Sequence, residues 1–432
     1  MRSLAYWLTI AFIFCVPWEA GINVGGVGQL SKIIGLAAAM AWIVSVVARG
    51  RLRQPDAFQK AFFLFLVWNG LTFYWSMDSG ATMSGFLTYT QVFGLLLIIW
   101  DVFDSTKAIE TALQAYVLGA FVSSGAILVN YVTAPSSDFP ERRFLALGFQ
   151  VDAIALIVAL AAPAAWYLAA SPAERPRPQA LTVANYAYVP LGLFALLLTG
   201  TRGAVLASVP TAVFMAWSLL RMGRAKQVVA IVSIAIAAVA VIGFAPRKPL
   251  ERVSTVTTAT DVRDEGALSG RWAIWTESRR AFLDRPIAGA GLAAHRAVLD
   301  SGASGAPGEA KKRSDAWILK QGLDARRAAL ATGREAHNAY LSVLVETGLV
   351  GFLLFASVIV IVVSRVRRLT GWELHYWITQ LAVLAIGAMS LSVEQRKDVW
   401  IFLSLAVTSG AIAERRETLL RVPRSTLTAI RS

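Results

Sequence analysis

Charge is scarce in this chain. Of 432 residues, 16% are Asp, Glu, Lys or Arg, 56% are hydrophobic, and the mean hydropathy is +0.58. Soluble domains carry about 25% charged residues, so an ordinary water-exposed globule is excluded. Cysteine and histidine are scarcer still. A single cysteine, Cys15, rules out an intrachain disulfide and leaves the redox compartment unreported. The three histidines, His295, His337 and His375, are scattered and form no His-x-x-x-His pair. No Asp-x-Asp pair lies in the connections expected outside, and the DVRD stretch at 261–264 has the wrong spacing. A metal site is therefore not expected. Serine-hydrolase and P-loop signatures are missing as well. No internal repeat is visible.

What the chain has instead is long apolar runs. About twelve are long enough to cross roughly 30 Å of hydrocarbon as helices. They lie near 4–18, 30–48, 58–76, 84–101, 107–131, 151–170, 181–199, 203–220, 227–245, 340–364, 374–393 and 398–414. The first follows Arg2 and lacks a good cleavage site in PWEAGINVGG, so it reads as a retained span. The expectation is an all-α polytopic membrane protein with about 12 transmembrane helices.

Lys and Arg set the orientation. Connections with Arg49, Arg51, Arg53, Lys107, Arg175, Arg177, Arg221, Arg224, Lys226, Arg365, Arg367 and Arg368 fall on one side. The tail arginines 415, 416, 421 and 424 join them, which puts both termini inside. Short connections at 19–29 and 77–83 have neither Lys nor Arg. The division is nine helices over 1–245, an outer loop over 246–337, three helices over 338–414 and an inner tail over 415–432. The outer loop is basic and partly helical, with GRWAIWTESRRAFLDRP and an amphipathic KKRSDAWILKQGLDARRAALA separated by glycine-rich segments. A basic face beside a membrane suits anionic lipid phosphates, and no nucleic-acid partner is expected.

Polar groups at the outer boundary carry the chemistry. His337 precedes the tenth span, beside Asn338, a good helix N-cap, and Tyr340. Read blandly, this is a cap with an interfacial tyrosine. His295 reads as a surface histidine of the outer loop. Glu346 lies about 13 Å further along the helix axis, too far for direct proton exchange with His337, and reads as structural. Gly348 and Gly351 point to a crossing helix packed closely here. Arginines open to the outer face from separate connections: Arg142 and Arg143 before span six, Arg202 in the hairpin TGTRG, and Arg396 with Lys397 between spans eleven and twelve. Guanidinium groups gathered at one point suit a diphosphate.

Three stretches in order carry a resemblance: LLLTGTRGAVLA, GRWAIWTESRRAFLDRPIAGAGLAAH and EAHNAYLSVLVETGLVGFLLF. Together they resemble the signature region of the O-antigen ligase/polymerase superfamily. The resemblance implies a GT-C-like glycosyltransferase of the bacterial inner membrane, working on its periplasmic side. It would join undecaprenyl-diphosphate-linked O-antigen to the lipid A core without any cofactor. It implies functional roles for Arg202 and for His337, the latter as activating base, and more loosely for Arg271. Arg142, Arg143, Arg396 and Lys397 are expected at the diphosphate from position alone, with Asn338, Tyr340 and Glu346 in support. The alternatives are the polymerase branch, which extends the lipid-linked chain, and a twelve-helix transporter.

Overall fold

The computed structural model describes residues 1–24, 28–133, 143–172, 177–244, 271–304 and 336–421. Several expectations lie outside those residues: Arg142, Arg175, the DVRD stretch, the amphipathic segment 311–331 and the tail arginine at 424.

Helices account for almost all of the described chain. They are α1 Arg2–Cys15, α2 Leu30–Arg49, α3 Ala57–Leu71, α4 Ser79–Val102, α5 Thr106–Thr133, α6 Val151–Ala170, α7 Gln179–Thr199, α8 Arg202–Ala207, α9 Val209–Leu219, α10 Arg224–Phe244, α11 Arg271–Asp284, α12 His295–Ser304, α13 Ala339–Val366, α14 Gly371–Ala388 and α15 Lys397–Arg421. A short 3-10 turn, Val16–Gly21, and a two-residue ribbon, Asn23–Val24 with Gly28–Gln29, join α1 to α2.

Among the described residues, eight helical stretches are long and apolar enough to cross a membrane. The chain has the character of a polytopic membrane protein. Apolar side chains that stand exposed around the bundle, such as Val47 and Val360, are those that hydrocarbon would cover. Eight of the twelve expected spans meet this measure among the described residues. Four expected spans coincide with α3, α10, α14 and α15, which are helices but not among the eight. At 15 residues, α3 rises only about 22 Å, short of the hydrocarbon thickness.

The most enclosed helix is α6, with 89% of its apolar window buried. It packs against α5, α7, α8, α9 and α14. Its N-terminal end is therefore held by neighbours on several sides. Ion pairs connect turns at the same end of the bundle, as the alternating topology requires. At the end away from His337, Arg49 meets Asp101 at 2.8 Å, Arg177 meets Glu110 at 2.6 Å, and Arg365 reaches both Asp56 and Glu414.

The helix α13 is broken. Gly348 has φ +64° and ψ −170°, which interrupts the helical hydrogen-bond ladder. The freed groups are taken up by the loop segment 286–291. Ala290 and Gly291 donate to the carbonyls of Val345 and Glu346, both at 2.9 Å. Leu349 donates to Pro286 at 2.8 Å and Val350 to Ile287 at 3.3 Å. A backbone hydrogen bond left unmade inside a membrane protein is costly, so the inserted segment is what makes the break tolerable. At Gly348 the close approach is thus made by an extended loop segment rather than by the crossing helix expected. At Gly351 the neighbour is a helix, through Trp68 of α3.

A β-carbon on Gly289 would sit 2.4 Å from the Glu346 carbonyl oxygen, and the residue has φ +72°. Gly289→Val is expected to expel the segment and lower the thermal unfolding temperature in detergent by several degrees or more. An unchanged unfolding temperature would show that the inserted segment is not structural.

Candidate active site

The site grows from the N-terminal end of α6. Asp152 lies in its first turn. One carboxylate oxygen, Oδ1, accepts from Arg143 Nη2 at 2.9 Å and from the Thr201 hydroxyl at 3.3 Å. The other, Oδ2, faces His337 Nδ1 at 3.8 Å. That separation is too long for a hydrogen bond and is an ion pair only when the imidazole is protonated; catalytic contacts often tighten only when substrate binds.

Each partner is held by its own backbone. Arg143 donates through Nε to the Thr199 carbonyl at 3.0 Å and through Nη2 to the Thr201 hydroxyl at 2.8 Å. Phe144 beside it is fully buried and its N–H bonds to Leu198. The turn after α7 closes through Gly200 in the left-handed region, φ +60°. Arg202 opens α8 directly after Thr201, so it starts one residue from the hydroxyl that reaches Asp152. Gly203 follows with a β-carbon position only 1.9 Å from the Ser390 hydroxyl, which brings the turn after α14 against α8.

His337 is a non-glycine residue with φ +46°. Strain of this kind costs on the order of 1–3 kcal/mol and persists where the surroundings enforce it. Two contacts enforce it here. Trp275 of α11 donates its indole N–H to the Ala336 carbonyl at 2.9 Å. Asn338 caps α13, accepting from the Leu341 N–H at 3.1 Å. The imidazole is thus fixed between a loop helix and a membrane helix, with Asp152 in front of it.

Tyr340, Arg396 and Lys397 have partners of their own. Tyr340 bonds through its hydroxyl to the Ala385 carbonyl at 3.1 Å and ties α13 to α14. Arg396 forms a two-pronged pair with Asp398 at 2.8 and 3.1 Å. Burial pulls its pKa down, but Asp398 outweighs that and leaves it raised. Lys397 meets Glu19 at 2.7 Å. No contact among the described residues joins either of these to His337. Arg271 begins α11.

His295 corrects an expectation. It is 4% exposed rather than on the surface, and its Nε2 lies 2.8 Å from the Ser278 hydroxyl. Glu346, also buried, accepts from the N–H groups of Ala293, at 2.9 Å, and His295. It thereby caps the start of α12 and locks the inserted loop to α13, the structural role expected of it. Asp152, Thr201 and Trp275 were not singled out from sequence. A carboxylate opening an apolar span was the one visible signal for Asp152. Among the described residues, no three His, Cys, Asp or Glu side chains gather as a metal ion needs.

Residues 187–356 match the family model described as O-antigen ligase. That part of the chain is similar to the O-antigen ligase family. The matched region runs from within α7 to residue 356 in α13. It contains Arg202, Arg271, His337, Glu346 and Gly348, while Asp152 and Arg143 come from outside it. No curated protein matches the chain.

Glu346→Ala would strand two buried N–H groups, each costing about 1–3 kcal/mol. The expected result is a lower unfolding temperature together with faster proteolysis within 286–304. Wild-type protease resistance would contradict the capping role.

Proposed function

We propose that the chain is a ligase of lipid-linked polysaccharide. In this reading it transfers O-antigen from undecaprenyl diphosphate to the lipid A core on the periplasmic face of the bacterial inner membrane. A GT-C-like architecture and both termini in the cytoplasm belong to the same reading. The observation that carries it is the meeting of two family stretches, around Arg202 and His337, at one carboxylate on the central helix.

The chemistry is a single displacement. A hydroxyl of the acceptor core attacks the anomeric carbon, and Nε2 of His337 takes its proton as general base. Nδ1 faces Asp152, which orients the ring and stabilises the imidazolium as it forms. The bond from the anomeric carbon to the diphosphate oxygen breaks, and its electron pair leaves with undecaprenyl diphosphate. The anomeric centre inverts. Arg202 stabilises the growing negative charge, with Arg271 and Arg142 assisting. Arg143 contributes mainly by holding Asp152 and the 199–201 turn. Arg396 and Lys397, already matched by carboxylates, hold the turn that leads from Ser390 into α15. No nucleotide or metal is required, because the donor's phosphate ester of the anomeric carbon is already activated.

The similarity to the O-antigen ligase family argues for group transfer over solute transport. The branch is tested in a deletion strain complemented with His337→Ala. The variant is expected in the membrane at wild-type level, with lipopolysaccharide lacking O-antigen and long chains held on undecaprenyl diphosphate. Single repeat units on the lipid would assign the chain to polymerisation instead. Wild-type capping would remove His337 as the base.

A further inference from the structure

At the end of the bundle opposite His337, a pocket of about 450 Å³ opens between the ends of α6, α9, α10 and α14. Arg221, Arg224 and Lys226 line it, together with Trp372. Among the described residues that line it there is no carboxylate. Elsewhere at this end, arginines such as Arg49, Arg177 and Arg365 are matched by acids.

Among the described residues, none of the three basic side chains forms an ion pair. The Arg221 guanidinium lies 4.4 Å over the ring of Trp217, and that ring stacks on His375 with centroids 3.8 Å apart. Trp372 packs edge-on against Trp217 at 5.4 Å. Stacking occupies the face of a guanidinium and leaves its N–H edge available. Lys226 is anchored by the carbonyls of Ala170 and Ser171 at 3.2 and 3.3 Å. Neither Arg221 nor Arg224 has a side-chain hydrogen bond or ion pair among the described residues. Beside the pocket the surface turns apolar at once: Leu220, Val213, Val228 and Val232 are 83%, 64%, 61% and 51% exposed.

A cationic pocket backed by indole rings, with a bare apolar face running away from it along α9 and α10, matches an amphiphile with an anionic head. We propose that this pocket binds the phosphate headgroup of an anionic phospholipid in the inner leaflet, with its acyl chains along α9 and α10. A free phosphate shares the head chemistry but leaves the apolar face uncovered.

The full-length protein in detergent is titrated with phosphatidylglycerol, phosphatidylcholine or inorganic phosphate and read by native mass spectrometry. Phosphatidylglycerol is expected to be retained in preference to phosphatidylcholine and not displaced by inorganic phosphate. The Arg221→Gln/Arg224→Gln variant is expected to bind it about tenfold or more weakly, at roughly 1 kcal/mol per cation. A control, Arg51→Gln/Arg367→Gln, removes two charges from the same end outside the pocket and is expected to bind as wild type. Equal retention of both lipids by the wild type would overturn the proposal. So would displacement by inorganic phosphate, or equal weakening in the two variants. The wild-type lipid preference is read independently of whether either variant folds.

Discussion

The carboxylate of Asp152 is the group on which the candidate site depends. Its two oxygens divide the work, Oδ1 toward Arg143 and Thr201 and Oδ2 toward His337. Because it stands at the start of the most buried helix, it cannot move without disturbing that helix's packing. Three connections far apart in sequence are thereby referred to one rigid point. An imidazole at the end of a long loop would otherwise be free to wander, and a misplacement of about 1 Å can cost 10²-fold in rate.

The second constraint is the break in α13. An interrupted membrane helix is tolerated where protein re-satisfies its backbone, and segment 286–291 does so here. The same insertion places α11 so that Trp275 grips the residue before His337. Glu346 fastens the insertion from below by capping α12. The polar groups inside the greasy run of α13 thus have different tasks. Asn338 starts the helix, Glu346 pins a loop to it, and His337 just outside presents its ring to Asp152.

Much of the scaffold was legible in the sequence because helix length and hydropathy are local properties. The run read at 151–170 is α6 itself, and 30–48 and 340–364 differ from α2 and α13 by a few residues. The tight turn TGTRG was legible from its glycines. What local reading cannot see is the partner. Gly348 breaks its helix because a segment some 60 residues earlier replaces the lost bonds, and hydropathy carries no trace of that pairing. Arg396 and Lys397 read as anion binders from position, and the carboxylates of Asp398 and the distant Glu19 stand beside them in the structure. His295 reads as exposed in a hydrophilic loop and is buried because the loop is tucked against α13. Asp152 is an ordinary helix-opening acid in sequence, and only three converging side chains make it more.

The central claim is that Asp152 acts through His337. It is tested most directly by a double-mutant cycle on transfer of lipid-linked polysaccharide to a lipid A-core acceptor in membranes. Asp152→Asn keeps an oxygen for Arg143 and Thr201 while removing the charge facing the imidazole. The account predicts a loss of roughly 10²–10⁴-fold for that change alone. It further predicts no additional loss when Asp152→Asn is combined with His337→Ala, since the aspartate would have nothing left to orient. A double variant whose loss equals the product of the two single losses would contradict the account, because the two residues would then act independently.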